Sequence, residues 1–247
     1  MALSVTVLGC SGSYPGPGQA CSGYLVRADG VNVVLDLGPG ALANLQHHIG
    51  LHEVDAVVLS HSHPDHWLDL SGLRTATKYA LEREGLAVYG TAENRKLAES
   101  ISHGGLNPTI DWHEIHDGDE LAIGGLRLRF SETEHYVETL AVRVDDPRAG
   151  RSIAYSADTG PGWALDRLGR GIDLVLCEAT FATDEEGEGV LHLSARQAGA
   201  MAASAGARRL VLTHLWPGGD PRRYERIGSE AFGEPVELAR TGARYEL

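Results

Sequence analysis

The chain has 247 residues, 43% of them hydrophobic and 22% charged, with a formal net charge of −13. That length suits one large domain over residues 1–247, and the composition is that of a soluble globular protein rather than a disordered or fibrous one. The negative balance disfavours a long nucleic acid as partner, no apolar run reaches membrane-spanning length, and Cys10, Cys21 and Cys177 form no Cys-x-x-Cys pair. The stretch from Met1 to Gly9 has no basic segment before its apolar residues and makes a poor leader, so a reducing cytoplasm is the expected compartment.

Strands are predicted over residues 4–8, 23–28 and 31–35, the last two joined by the hairpin signal Asp29-Gly30. Residues 9–18, rich in glycine and proline, form an irregular loop that matches neither a Walker loop nor a dinucleotide fingerprint; phosphate binding there is the weaker reading. Asp36-Leu37-Gly38-Pro39-Gly40 breaks the chain before a short helix over 41–49, and an apolar strand follows over 54–59. Leu68, Leu70, Leu73, Ala76, Ala80 and Leu81 roughly follow the helical period and predict a helix over 65–84 ending at Gly85. A strand over 86–89 and a helix over 91–102 come next.

The second half opens with a hairpin, 120–123 and 126–130 around Gly124-Gly125, followed by Glu134-His135. Strands over 140–144 and 152–155 flank a turn at 147–150, and the latter runs into Ser156-Ala157-Asp158-Thr159. A strand over 172–176 leads to Cys177-Glu178-Ala179-Thr180. Ser194 and Gln197 have the spacing of a capping box for a helix that stops at Gly206. The last predicted strand, 210–213, delivers His214 before Leu215-Trp216-Pro217.

Against this background Ser60-His61-Ser62-His63-Pro64-Asp65-His66 stands out, with three imidazoles and a carboxylate in one loop at a strand end. Imidazole nitrogen and carboxylate oxygen suit a zinc-like dication, and so many donors in one short stretch exceed what a single tetrahedral ion can use. Two adjacent ions are expected. His61 and His63, two apart in extended chain, point the same way and reach one ion, whereas Pro64 turns Asp65 and His66 toward a second.

His135, Asp158 and His214 each follow a strand, and strand ends in alternating α/β proteins gather at one edge where sites form. Singly each would be an ordinary structural or turn residue; with the loop they complete a ligand shell. The first ion then takes His61, His63 and His135, the second Asp65, His66 and His214, with Asp158 and a hydroxide between them. Metal coordination lowers the pKa of water from about 15.7 toward about 7, which makes that hydroxide a nucleophile at neutral pH. His192, outside the ligand count, is a candidate to protonate a leaving oxygen or bind a phosphate oxygen, with Glu178 orienting it. His47, His48, His52, His103, His113 and His116 have no such setting.

The loop Ser60 to His66 resembles the signature of the metallo-β-lactamase fold hydrolases. Leu8-Gly9-Cys10-Ser11-Gly12, Asp36-Leu37-Gly38, Ser156-Ala157-Asp158-Thr159, Glu178-Ala179-Thr180-Phe181, His192-Leu193-Ser194 and Thr213-His214 are similar, in order, to the ribonuclease Z and phosphodiesterase branch. The resemblance implies an α/β fold, a four-layer αβ/βα sandwich, with a dinuclear site of two divalent ions, zinc first and manganese or iron as alternatives. It implies the same ligand sets, Asp158 shared, and a catalytic group of Asp65, His192 and Glu178. Glu132-Thr133-Glu134-His135-Tyr136 departs from the Gly-His-Thr-Pro-Gly-His segment of lactamases and glyoxalases, which demotes lactam and thioester hydrolysis.

Two further departures concern ribonuclease Z itself. The stretch between His135 and Asp158 is too short for the tRNA-clamping arm that the resemblance places there, and Cys177 stands where the family has histidine. A phosphodiesterase acting on a small, including cyclic, anionic phosphodiester is therefore expected. The alternatives are a tRNA 3′-processing endonuclease without its arm and a non-catalytic, metal-stabilised binding protein; dimerisation follows by resemblance only.

Overall fold

Three segments rich in valine and leucine near the amino terminus, the first two separated by the irregular loop and the last two by a tight turn, form an antiparallel meander of β1 (Ser4–Gly9), β2 (Gly23–Ala28) and β3 (Val31–Leu37). This is seen in a computed structural model describing residues 2–247; Met1, where the leader reading begins, lies outside them. Asp29 and Gly30 join β2 to β3 with φ of 47° and 83°, the paired positive dihedrals of a tight type I′ hairpin. Pairing then turns parallel through β4 (Ala56–Val58), β5 (Leu86–Gly90) and β6 (Ile110–Glu114), connected by α1 (Ala41–Leu45), α2 (Leu70–Tyr79) and α3 (Ala92–Ile101).

The second half repeats the plan. β7 (Glu120–Ile123), β8 (Leu126–Glu132), β9 (Leu140–Asp146) and β10 (Arg151–Tyr155) pair antiparallel; β11 (Leu174–Glu178), β12 (Leu210–Thr213) and β13 (Glu237–Leu238) continue in parallel. α4 (Ala195–Ser204) and α5 (Pro221–Phe232) cover its outer face, and β14 (Arg244–Glu246) returns to pair with β1. Two seven-stranded sheets result.

Three apolar clusters fix the layers. Val5, Tyr24 and Leu35 of the first sheet meet Phe130, Val142 and Leu176 of the second between the sheets. Leu45, Leu70 and Leu73 pack helices on the outside of the first sheet, and Ala198, Ile227 and Phe232 do so on the second. The order is helix, sheet, sheet, helix, the four-layer α/β sandwich. No helix among the described residues is long and apolar enough to cross a membrane.

The helix expected over 65–84 divides. Residues Pro64–His66 form a single 3₁₀ turn, Trp67 leaves helical space at φ −146°, and the α-helix runs only from Leu70 to Tyr79. Proline opens a turn well, but Trp67 donates from Nε1 to the Ser62 carbonyl (2.8 Å) and folds the segment back on the histidine loop. The helix over 41–49 likewise shortens to Ala41–Leu45. β6, α5, β13 and β14 are additions to the elements read from sequence. The capping box is present, with Ser194 Oγ accepting from the Gln197 amide at 3.1 Å and Gln197 answering at 2.8 Å.

Candidate metal centre

The loop after β4, the turn after β8 and the ends of β10 and β12 converge at one edge between the two sheets. His61, His63, His135 and Asp158 bring their donor atoms within 4.8 Å of one another, and Asp65, His66 and His214 form a second such group. All seven residues assigned as ligands from sequence are therefore brought together. Asp158 lies between the groups. Its Oδ2 is 3.5 Å from His61 Nε2 and 3.8 Å from His135 Nε2, while its Oδ1 is 3.3 Å from His66 Nε2 and 3.4 Å from His214 Nε2.

His61 Nε2, His66 Nε2 and Asp158 Oδ1 are buried and have no hydrogen-bond partner. Unanswered polar atoms are costly in a protein interior, and their convergence on common points fits cations with nitrogen and oxygen ligands. The opposite ring nitrogens are engaged. His66 Nδ1 donates to Asp36 Oδ2 (2.7 Å), His135 Nδ1 to the Leu191 carbonyl (2.9 Å), His61 Nδ1 meets Ser60 Oγ (3.0 Å) and His214 Nδ1 meets Thr180 Oγ1 (2.9 Å). Such contacts hold these four rings with Nε2 facing inward, while His63 turns its Nδ1 to His135 Nε2 at 3.1 Å.

Electrostatics follow from burial and proximity. Burial depresses the pKa values of His61, His63 and His135, which favours the neutral, ligating form. Burial also opposes ionisation of Asp65 and Asp158, but neighbouring histidines outweigh it and hold both carboxyls below their usual range. For His66 burial is outweighed by Asp158, Asp65 and Asp36, which hold its imidazole well above its ordinary value. An arriving cation would displace that proton.

Beside the seven residues, His192 Nδ1 lies 2.9 Å from Glu178 Oε1 and 4.0 Å from Asp158 Oδ2, leaving Nε2 free. Burial would lower its pKa, but the Glu178 hydrogen bond and charge prevail and raise it to about 9. Glu178 is itself fixed by the Thr159 amide (2.9 Å) and Thr180 Oγ1 (2.9 Å). Cys177, one position before it, points to the opposite face of β11 and packs in the outer apolar layer. The cysteine thus leaves the Glu178 contact intact.

Other site residues lie outside the candidates read from sequence. Asp36, fully buried at φ 55°, accepts from the Ser60 amide (2.7 Å), Ser60 Oγ (2.8 Å), His66 Nδ1 and Tyr155 Oη (2.8 Å). Asn94, at the start of α3, donates to the His61 carbonyl at 2.7 Å. Gly38 allows the close approach of Asp65, since a Cβ there would meet the Asp65 carbonyl at 1.8 Å. The glycine-rich loop finds a role: its Ser13 amide donates to Asp65 Oδ2 at 2.8 Å. A cavity of about 710 Å³ on the second sheet, lined in part by Arg129, Arg143 and Arg151, lacks every member of the centre. Its arginines face carboxylates, Arg129 to Glu120 at 2.7 Å and Arg143 to Asp145 at 2.8 Å.

Comparison with known proteins agrees with this geometry. Residues 31–215 match the family model described as a beta-lactamase superfamily domain. An uncharacterized protein of Mycobacterium tuberculosis strain H37Rv is 40% identical, covering 100% of this chain and 93% of that protein. Ribonuclease Z of Myxococcus xanthus is 28% identical over 99% of this chain and 98% of its own length. The crystal structure of the metallo-beta-lactamase fold protein YhfI from Bacillus subtilis superposes with a TM-score of 0.90 at 27% identity, covering 100% of both chains. Sandwich, histidine loop and relatives together show that the chain belongs to the beta-lactamase superfamily domain family, with the metallo-β-lactamase fold and ribonuclease Z among its homologues.

Proposed function

We propose that the chain is a dinuclear metal-dependent phosphodiesterase acting in the cytoplasm on a small phosphodiester, cyclic nucleotides and cyclic ribose phosphates included. The observation that supports it most is the division of Asp158, whose two oxygens face separate histidine groups. His61, His63 and His135 would hold one divalent ion and Asp65, His66 and His214 the other, and zinc suits this donor set, which manganese and iron can share. When bound, such a pair supplies an attacking hydroxide at neutral pH and offsets charge on the attacking and leaving oxygens.

The chain's own groups do the rest. Glu178 fixes His192 by Nδ1 and favours its charged form, so that its free Nε2–H can pass a proton to the leaving oxygen. Asp36 and Ser60 orient His66 and His61, and the Ser13 amide holds Asp65. A relative named ribonuclease Z supports a phosphodiester as the bond attacked. That likeness over nearly the whole chain also supports the second reading, tRNA 3′ processing. Against it, the residues between His135 and Asp158 are used largely by strands β9 and β10 of the sheet.

Metal analysis with a substrate panel tests the reading. The expected result is about two divalent ions per chain and chelator-sensitive turnover of bis-nitrophenyl phosphate and of 2′,3′- or 3′,5′-cyclic nucleotides. Efficient cleavage of precursor tRNA at low enzyme concentration would favour the second reading. Absence of turnover of every phosphodiester by the metal-loaded protein would leave a binding role.

A further inference from the structure

Of the seven large hydrophobic side chains exposed among the described residues, five lie within two positions of a group of the candidate centre. Tyr14 follows Ser13, Leu68 and Trp216 come two after His66 and His214, Tyr136 follows His135, and Val190 precedes His192 by two. Single exposed apolar residues are ordinary, but their concentration around one polar centre marks a surface with a use.

On one side of the centre the rings are contiguous. Tyr14 meets Trp216 edge to face, centroids 5.7 Å apart and planes at 83°. Phe181 lies nearly parallel to Trp216, at 6.3 Å and 18°. Backbone contacts tie this wall to the centre. The Ser13 amide reaches Asp65, the Gly12 amide donates to the Leu215 carbonyl (3.0 Å), and Phe181 follows Thr180, whose hydroxyl meets His214. Although packed on one another, Tyr14 and Trp216 remain 46% and 43% exposed, whereas Trp67 and Trp163 are each only 3% exposed.

Half-exposed rings offer aromatic surface to a planar partner, with Trp216 Nε1–H and Tyr14 Oη as their only polar atoms. That is what stacking of a nucleobase requires, and it tolerates any base. A net charge of −13 opposes attraction of a long polyanionic strand, which favours one nucleotide unit. Resting on the phosphodiesterase reading above, we infer that Trp216, backed by Tyr14 and Phe181, is a stacking platform for the base of a small nucleoside phosphodiester.

The test compares Trp216→Ala and Trp216→Phe on cyclic mononucleotides and on a cyclic ribose phosphate without a base. In Trp216→Ala the preference in kcat/KM for the base-bearing diester falls about five- to 150-fold, chiefly through KM, and Trp216→Phe restores most of it. Tyr79→Ala, exposed at the end of α2, leaves the preference unchanged. Equal losses on both diesters, no loss on either, or a defect confined to single-stranded RNA would overturn the platform. A separate binding arm uses adenosine monophosphate against ribose 5-phosphate, followed by tryptophan fluorescence. If the native protein hydrolyses no phosphodiester, the phosphodiesterase reading fails. The platform then stands only if the nucleoside monophosphate binds tighter and quenches Trp216.

Discussion

Asp158→Ala is expected to lose bound metal and turnover together. Asp158 is nearly fully buried and is within ion-pair distance of His61, His66, His135 and His214, so its removal leaves both groups without their common anion. Partners one step removed from a metal typically cost ten- to a hundredfold in affinity, and a shared ligand should cost more than about a hundredfold. The check is metal content after gel filtration, measured beside kcat/KM on a phosphodiester. Asp158→Asn, of nearly the same shape, separates charge from packing. Unchanged metal stoichiometry in both variants would remove Asp158 from its bridging position.

His192→Ala gives the opposite pattern: metal stays and turnover falls by about 10²–10⁴, the usual worth of a positioned general acid. The separation is expected because His61, His63, His135 and Asp158 form one group and Asp65, His66 and His214 another without it, while the one group that includes His192 borrows Asp158 and His214 from these two. Glu178→Gln gives an independent reading. A neutral amide stabilises imidazolium less than a carboxylate, so the His192 pKa drops from its raised position and the alkaline limb of the pH–rate profile moves to lower pH. Full turnover by His192→Ala would eliminate its role as proton donor.

Local pattern made much of the site legible. Three histidines and an aspartate within one loop need no tertiary information, and the other ligands were found because each follows a strand whose apolar run is plain in sequence. Asp36 was harder, because its donors come from Ser60, His66 and Tyr155, which the fold alone brings to it. Apolar spacing continues across Trp67 and hides the break before α2, where the chain turns to place Asp65 and His66. β6 is an edge strand with exposed polar residues, and β13 has only two residues, too few to show a period. α5, absent from the predicted elements, carries its own start signal, Asp220 before Pro221, and buried Tyr224, Ile227 and Gly228 at helical spacing.

One carboxylate, Asp36, touches a histidine of each group, His66 directly and His61 through Ser60 Oγ. The two groups therefore share a support as well as the aspartate between them. Organising one set of rings fixes Asp36 and Ser60, and lessens the disorder left to remove from the other. Loss of the Asp36 carboxylate would therefore loosen rings of both groups at once, although it belongs to neither.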